Sequence, residues 1–313
     1  MTAISRDEWL ALRNTGIGGS DAGTVLGVNP YKTAYQLYLE KRGELQPEDI
    51  DDKEAVIAGR DLEDYVAQRY SRRTGLKVER CNTMLRHQEH PFVLGNLDRL
   101  VWEGDKRPQH RGEIRTRHLL ECKTALGRFI DKSAWGPDGT DEVPMTYLVQ
   151  CQHYMAVTGA ELCDLAVLMS GPEFRLYHIR RDNELIAELI AREAEFWQRV
   201  QTGKAPELDC DHATTPDLLA RLYPGTNGEE IALPDSATHW KAVMDEANEQ
   251  KKLYEAVATG AKNHLLELMG NAAVGKLPDG SQFTRKAISR GSYTVDAVTY
   301  IDFRHKKAKE QAA

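Results

Sequence analysis

Residues 118–124 read HLLECKT, and the fold turns on how these seven residues are read. An apolar run of this length predicts a buried strand. Side chains of a strand alternate between faces, so Glu121 and Lys123 share one face while Leu120 and Cys122 take the other. A carboxylate and an ammonium side by side at the end of an apolar strand cost free energy unless they are paired, hold a metal or belong to a functional site.

Working outward, the neighbouring sequence predicts a mixed α/β core. RDEWLALRNTG reads as a short helix stopped by Gly16, and GIGGSDAGTVLGVNPYKT as a glycine-rich loop with Ser20 or Asp21 as an N-cap. Pro30 and Thr33 then open a helix through Arg42. Residues 53–74 carry helical periodicity, with Val56, Leu62, Val66 and Tyr70 on the inner face. Strand-like runs follow at 76–80, 83–87 and 95–102, and again in HLLECKT. Next come a helix over 143–159, strands over 163–170 and 174–180, and a helix over 182–202. This gives a mixed sheet flanked by helices over 1–210. The texture then changes to a turn-rich link, a polar helix at about 236–270 and a hairpin turning at Asp279-Gly280, so 211–313 reads as a C-terminal appendage.

The 313 residues are 41% hydrophobic and 28% charged, as in ordinary soluble globular chains. No segment approaches the roughly 18 apolar residues of a membrane span, and MTAISRDEWLALR lacks the apolar stretch of a signal peptide. The five cysteines (Cys81, Cys122, Cys151, Cys163, Cys210) are scattered and never spaced C-x-x-C. That pattern predicts reduced thiols in a cytoplasm and argues against structural zinc, a disulfide set or an iron–sulfur cluster. A net charge of −7 argues mildly against nucleic acid as partner. However, 105–118 and 302–311 are locally basic, and metal-binding carboxylates add to the negative count without repelling a polyanion once the ion is bound.

The chemistry-bearing residues sit at element ends. Asp98 interrupts the apolar alternation of GNLDRLV, Glu121 and Lys123 follow on the next strand, and Glu63 lies mid-helix in GRDLEDYVAQRY. An aspartate on one strand and E-x-K on its neighbour bring two carboxylates and one ammonium to one sheet edge, which suits a magnesium-dependent phosphodiesterase. D…E-x-K is the core of the PD-(D/E)xK nucleases. The blocks WLALRNTGIGGSDAGTVLGVNPYKTAYQLYLEKRGE, GRDLEDYVAQRY, GNLDRLV, LLECKT and YLVQCQHYMAVTG, in this order over roughly 1–180, resemble the YqaJ-type viral recombinases, relatives of phage lambda exonuclease. The resemblance implies a restriction-endonuclease-like core and a Mg2+-dependent (Mn2+ possible) 5′→3′ exonuclease with one or two ions per site. Such an enzyme degrades linear double-stranded DNA ends to leave 3′ single strands. It implies Asp98, Glu121 and the backbone carbonyl of Cys122 as metal ligands, Lys123 beside the attacking water, and Glu63 near a second metal or its waters. It further implies Gln150 on the helix that closes the site, Arg13 and Ser20 on the terminal 5′-phosphate, a phage-type single-strand annealing protein as partner, and a ring-shaped homotrimer.

Other readings stand beside these. An endonuclease on the same core, or a non-catalytic DNA-binding recombination module, carries the same motifs. Glu63 alone reads equally as a solvated helix residue, Arg13 as a partner of Asp21, and Ser20 as an N-cap. Cys122 reads as a small apolar filler, and Gln152 and His153 as outward-facing or structurally bonded. The family's proline is replaced by Leu97. The basic link carrying Lys106, Arg107, Arg111, Arg115 and Arg117 reads as an extended hairpin, solvated or touching the DNA backbone.

Overall fold

The strand expected at HLLECKT forms over His118–Ala125, and the architecture is built around it. A computed structural model of the protein describes residues 6–126, 132–170, 173–289 and 291; the basic stretch at 302–311 lies outside the described residues. In chain order, helix α1 (Arg6–Arg13), strand β1 (Ile17–Gly18), α2 (Gly19–Val25) and α3 (Ala34–Lys41) precede the long helix α4 (Glu54–Thr74). Strands β2 (Val78–Arg80), β3 (Leu85–Arg86), β4 (Val93–Gly95) and β5 (Arg99–Val101) follow. A hairpin of β6 (Gln109–His110) and β7 (Glu113–Ile114) leads into β8 (His118–Ala125). Then come α5 (Met145–Thr158), β9 (Leu162–Met169), β10 (Phe174–Arg180), α6 (Asn183–Thr202) and α7 (Thr215–Leu222). Helix α8 (Ser236–Met269) and the hairpin β11 (Val274–Lys276), β12 (Gln282–Thr284) complete the described elements.

The main sheet runs β10-β9-β8-β5-β2 and is mixed, with β8 and β9 parallel and the remaining pairs antiparallel. Parallel neighbours require a crossover, and α5 supplies it. Helix α5 ends at Gly159, whose φ of 73° is the left-handed conformation that closes a helix most cheaply without a Cβ. Alternation along β8 sorts the core. Leu119 and Ala125 pack with Cys151, Tyr154 and Met155 of α5, whereas Leu120 and Cys122 pack with Val66, Ala67 and Tyr70 of α4. The sheet is thus covered on both faces, as its near-continuous apolar strands require. The fold is a mixed α/β core, with Glu121 and Lys123 on β8 and Asp98 directly before the neighbouring strand β5.

Two local readings are corrected. The single strand expected over 95–102 is two strands in two sheets: β4 lies between β1 and β3, while β5 joins the main sheet. Asn96, Leu97 and Asp98 cross between them, outside either ladder. Second, the N-cap of the glycine-rich segment is Gly18, in extended conformation, rather than Ser20 or Asp21; Asp21 sits three residues later and accepts from the Gly18 N–H at 3.3 Å. Thr33 caps α3 as expected, accepting from the Gln36 N–H at 3.1 Å. Two compact units are present, Met1–Leu222 and Tyr223–Ala313. Helix α7, whose Leu218 is buried, belongs to the first.

Leu165 of β9 is fully buried opposite Glu121. Leu165→Ala is expected to cost about 2–5 kcal/mol of stability, measured by urea unfolding of the whole chain.

Candidate active site

The site is where β5 and β8 part. They are paired only at Arg99–Leu120 and Leu100–Leu119, and beyond that point the Cys122 N–H is taken by Asp98 Oδ2 at 2.8 Å. A backbone donor in a buried place must find an acceptor, and here a side-chain carboxylate fills the position of a missing strand. Asp98 is free to do this because it lies in the crossing between two sheets.

Glu121 faces α5 and is 3% exposed. Its Oε1 accepts from Lys123 Nζ at 2.7 Å and from Gln150 Nε2 at 2.7 Å. Gln150 reaches on to Tyr154 Oη, one helical turn along α5, at 3.1 Å. Burial and the neighbouring Asp98 push the Glu121 carboxyl up to about 8, against an ordinary value of 4.5. Lys123 is held as an ammonium: Glu121 and Asp98 raise its pKa above the usual lysine range, outweighing its burial, and its Nζ lies 5.6 Å from the centre of the Tyr147 ring. Two carboxylates therefore face one ammonium in a desolvated place, leaving one negative charge for a proton or a cation to balance. Among the described residues no three His, Cys, Asp or Glu side chains converge as a metal cluster. The donor set is two carboxylates with a strand carbonyl beside them, which fits an ion such as magnesium that keeps most of its waters.

Glu63 stands on the α4 side of the sheet. Its Oε1 is bound by Arg99 Nη1 at 2.5 Å, and Arg99 Nη2 reaches Asp64 Oδ1 at 2.6 Å. Arg99 is 3% exposed and also donates to the Asp98 carbonyl at 2.7 Å. The structure thus brings Asp98, Glu121, Lys123 and Gln150 together, and ties Glu63 to them through Arg99. Burial beside Asp98 and Glu121 raises the Cys122 thiol, which suits the apolar-filler reading. Gln152 and His153 are buried and structurally bonded: Gln152 bonds the Arg180 carbonyl and the Asp182 N–H, and His153 bonds Glu193 and the Leu94 carbonyl.

Arg13 and Ser20 meet, with Arg13 Nη2 donating to Ser20 Oγ at 2.8 Å. Asp21 lies behind them, 3.4 Å from Arg13 Nη2 and 2.9 Å from the buried Lys41 Nζ. Arg13, Ser20, Asn96 and Tyr154 line a cleft of about 60 Å³, room for a few waters or one tetrahedral oxyanion. Gly19 is required at its wall, because a Cβ there would stand 2.4 Å from Tyr154 Cε1. Arg99 and Tyr154 are the residues that sequence reasoning missed. The signals were present: Arg99 directly follows Asp98, and Tyr154 lies four residues beyond Gln150, on the same helix face.

Residues 8–161 match the model of the YqaJ-like viral recombinase domain. The uncharacterised protein YqaJ of Bacillus subtilis (strain 168) is 40% identical over 233 residues, covering 74% of this chain and 67% of that one. Among solved structures, an alkaline exonuclease from Laribacter hongkongensis is 20% identical, with a TM-score of 0.48 over 69% of this chain and 100% of its own. A phage-related exonuclease from Haemophilus somnus is 14% identical, with a TM-score of 0.43 over 61% of this chain and 96% of its own.

Glu121 ionises near 4.5 when unfolded and near 8 when folded without metal. Its contribution to stability is therefore complete below about pH 4.5 and is lost as the pH rises towards 8. Melting in EDTA between pH 5 and 8 should show this fall, and Glu121→Gln should flatten it. An unchanged slope in the variant would place the titration elsewhere.

Proposed function

The chain belongs to the YqaJ-like viral recombinase family, and from that membership we propose a Mg2+-dependent 5′→3′ exonuclease acting on linear double-stranded DNA ends. The observation that carries the proposal is the convergence of Asp98, Glu121, Lys123 and Gln150 where β5 and β8 part. Asp98, Glu121 and the Cys122 carbonyl would hold a divalent ion, Mg2+ or Mn2+. Once bound, the ion supplies charge stabilisation at the scissile phosphate and a more acidic water.

The protein's own residues do the rest. Gln150 holds Glu121 in place, so the carboxylate is preorganised rather than recruited. Lys123, fixed by Glu121 and lying near the Tyr147 ring, orients the attacking water and offsets the negative charge that grows on the phosphate. The water gives up a proton to solvent as it adds to phosphorus, the P–O3′ bond breaks, and the departing 3′ oxygen takes a proton from solvent, releasing a 5′-mononucleotide. Arg99 steadies Glu63, whose carboxylate would serve a second ion or its waters. Arg13 and Ser20 take the terminal 5′-phosphate, which sets the polarity: with that end anchored, the next phosphodiester falls to the carboxylates.

The product, a 3′-ended single strand, suits a phage-type single-strand annealing protein. A ring-shaped homotrimer around the duplex would allow many turnovers per encounter. The appendage is proposed as the contact for one of these partners. Its helix α8 supports that role, since Trp240, Tyr254, Val257 and Leu268 are all exposed. No helix among the described residues is long and apolar enough to cross a membrane.

Linear duplexes with 5′-phosphate or 5′-hydroxyl ends and a closed circle, each with Mg2+ or EDTA, test this reading. Metal-dependent loss of linear DNA alone, faster from 5′-phosphate ends, is expected. Lys123→Ala should lower the rate by about 10²–10³-fold while melting and DNA binding stay close to wild type. Cutting of the circle would indicate an endonuclease, and DNA binding without turnover a binding module.

A further inference from the structure

Tyr154 is 5% exposed, yet the proposed chemistry leaves its hydroxyl without a task. Gln150 settles the direction of the bond between them. Glu121 Oε1 already accepts from Lys123 Nζ, so the Gln150 atom 2.7 Å from that same oxygen is the donating amide nitrogen. That same nitrogen stands 3.1 Å from Tyr154 Oη, so the phenol oxygen is the acceptor. Its own proton then has no acceptor among the described residues, which is rare for a hydroxyl so deeply buried. Burial and Glu121 hold the phenol pKa well above the usual tyrosine value, so the group can give a hydrogen bond and does not lose its proton.

The surroundings say what would receive that hydrogen bond. Tyr154 lies against Gly19, at the wall of the cleft it shares with Arg13, Ser20 and Asn96. Ser20 Oγ accepts from Arg13, so its hydroxyl proton is likewise available to the cleft. Both oxygens of Asp21, the nearby carboxylate, are engaged, by Arg13 on one side and by Lys41 and the Gly18 N–H on the other. The cleft therefore offers hydrogen-bond donors and one guanidinium, a complement for an oxyanion. Tyr154 also touches Gln150, and through it Glu121, so it joins this cleft to the carboxylates.

We infer that Tyr154 is a substrate-contacting residue whose hydroxyl donates a hydrogen bond to an oxygen of the terminal 5′-phosphate, completing the grip of Arg13 and Ser20. The inference rests on the exonuclease reading above. It adds a geometric link: one side chain would sense the seated end and, through Gln150, bear on the carboxylate that serves the scissile bond.

The test is the ratio of initial rates on duplexes with 5′-phosphate and 5′-hydroxyl ends, for wild type and Tyr154→Phe. Phenylalanine keeps the ring against Gly19 and removes one oxygen. Losing one hydrogen bond to a charged group predicts a ratio lowered about ten- to hundredfold, over and above any loss common to both ends from the missing Gln150 acceptor. An unchanged ratio, whether both rates fall equally or neither falls, would show a packing role and overturn the inference. If wild type itself shows no preference for the phosphate, the reading of Arg13 and Ser20 fails and this inference falls with it. A wild-type preference that survives in Tyr154→Phe sinks this inference alone. Should Tyr154→Phe fail to fold, Gly19→Ala displaces the same phenol from the other side and should lower the same ratio.

Discussion

The hydrogen bond from the Cys122 N–H to Asp98 Oδ2, at 2.8 Å, is the constraint from which the site follows. Strands β5 and β8 part after Leu120, and an unanswered backbone donor inside a covered sheet would cost roughly 1–3 kcal/mol. Asp98 answers it. The carboxylate can do so because its segment, 96–98, has left one sheet and not yet entered the other. That bond sets Asp98 beside Glu121. Burial and that proximity raise the Glu121 carboxyl, and the two carboxylates hold Lys123 as ammonium. The same parting of strands that exposes an amide thus gathers two carboxylates and a cation.

Much of this was legible in the sequence because it rests on short-range patterns. The alternation in HLLECKT puts Glu121 and Lys123 on one face and Leu120 and Cys122 on the other, which the structure packs against α4, and helical periodicity finds α4, α5 and α6 to within a few residues. What could not be read depends on partners distant in the chain. Arg99 looks like one more strand residue until α4 brings Glu63 and Asp64 to it from 36 and 35 positions away. Tyr154 packs in the core; only the direction of its bond with Gln150 shows that its proton has no acceptor among the described residues. The crossing at 96–98 was invisible for a related reason: GNLDRLVW alternates well enough for one strand, and local pattern does not reveal which sheet each half will join.

Arg99 shows how the fold tolerates a buried guanidinium. Removing a charge from water is compensated only where its partners are close and numerous, and here two carboxylates and a carbonyl lie within 2.7 Å. The arrangement also binds α4 to the start of β5. Glu63 is consequently held by a fixed cation rather than swinging freely on a helix surface, which makes Arg99 as much a part of the site's geometry as Asp98.

Charge placement bears on the tension between a net charge of −7 and the polyanionic substrate proposed. The basic run at 105–118 would be the obvious attraction for DNA, yet much of its charge is already engaged. Arg107 binds Glu79 through two nitrogens, Arg115 pairs with Glu113, and Arg117 with Glu161. Exposed pairs of this kind are individually weak, but they lower the field the run can project beyond a Debye length. Under the proposed function, recognition would be left to convergent groups at short range: the donors of the Arg13, Ser20 and Tyr154 cleft, and the carboxylates once a cation had reversed their sign. An exonuclease of the kind proposed would then discriminate by fit at a DNA end more than by bulk attraction to a duplex. That property suits an enzyme that must leave the interior of its substrate alone.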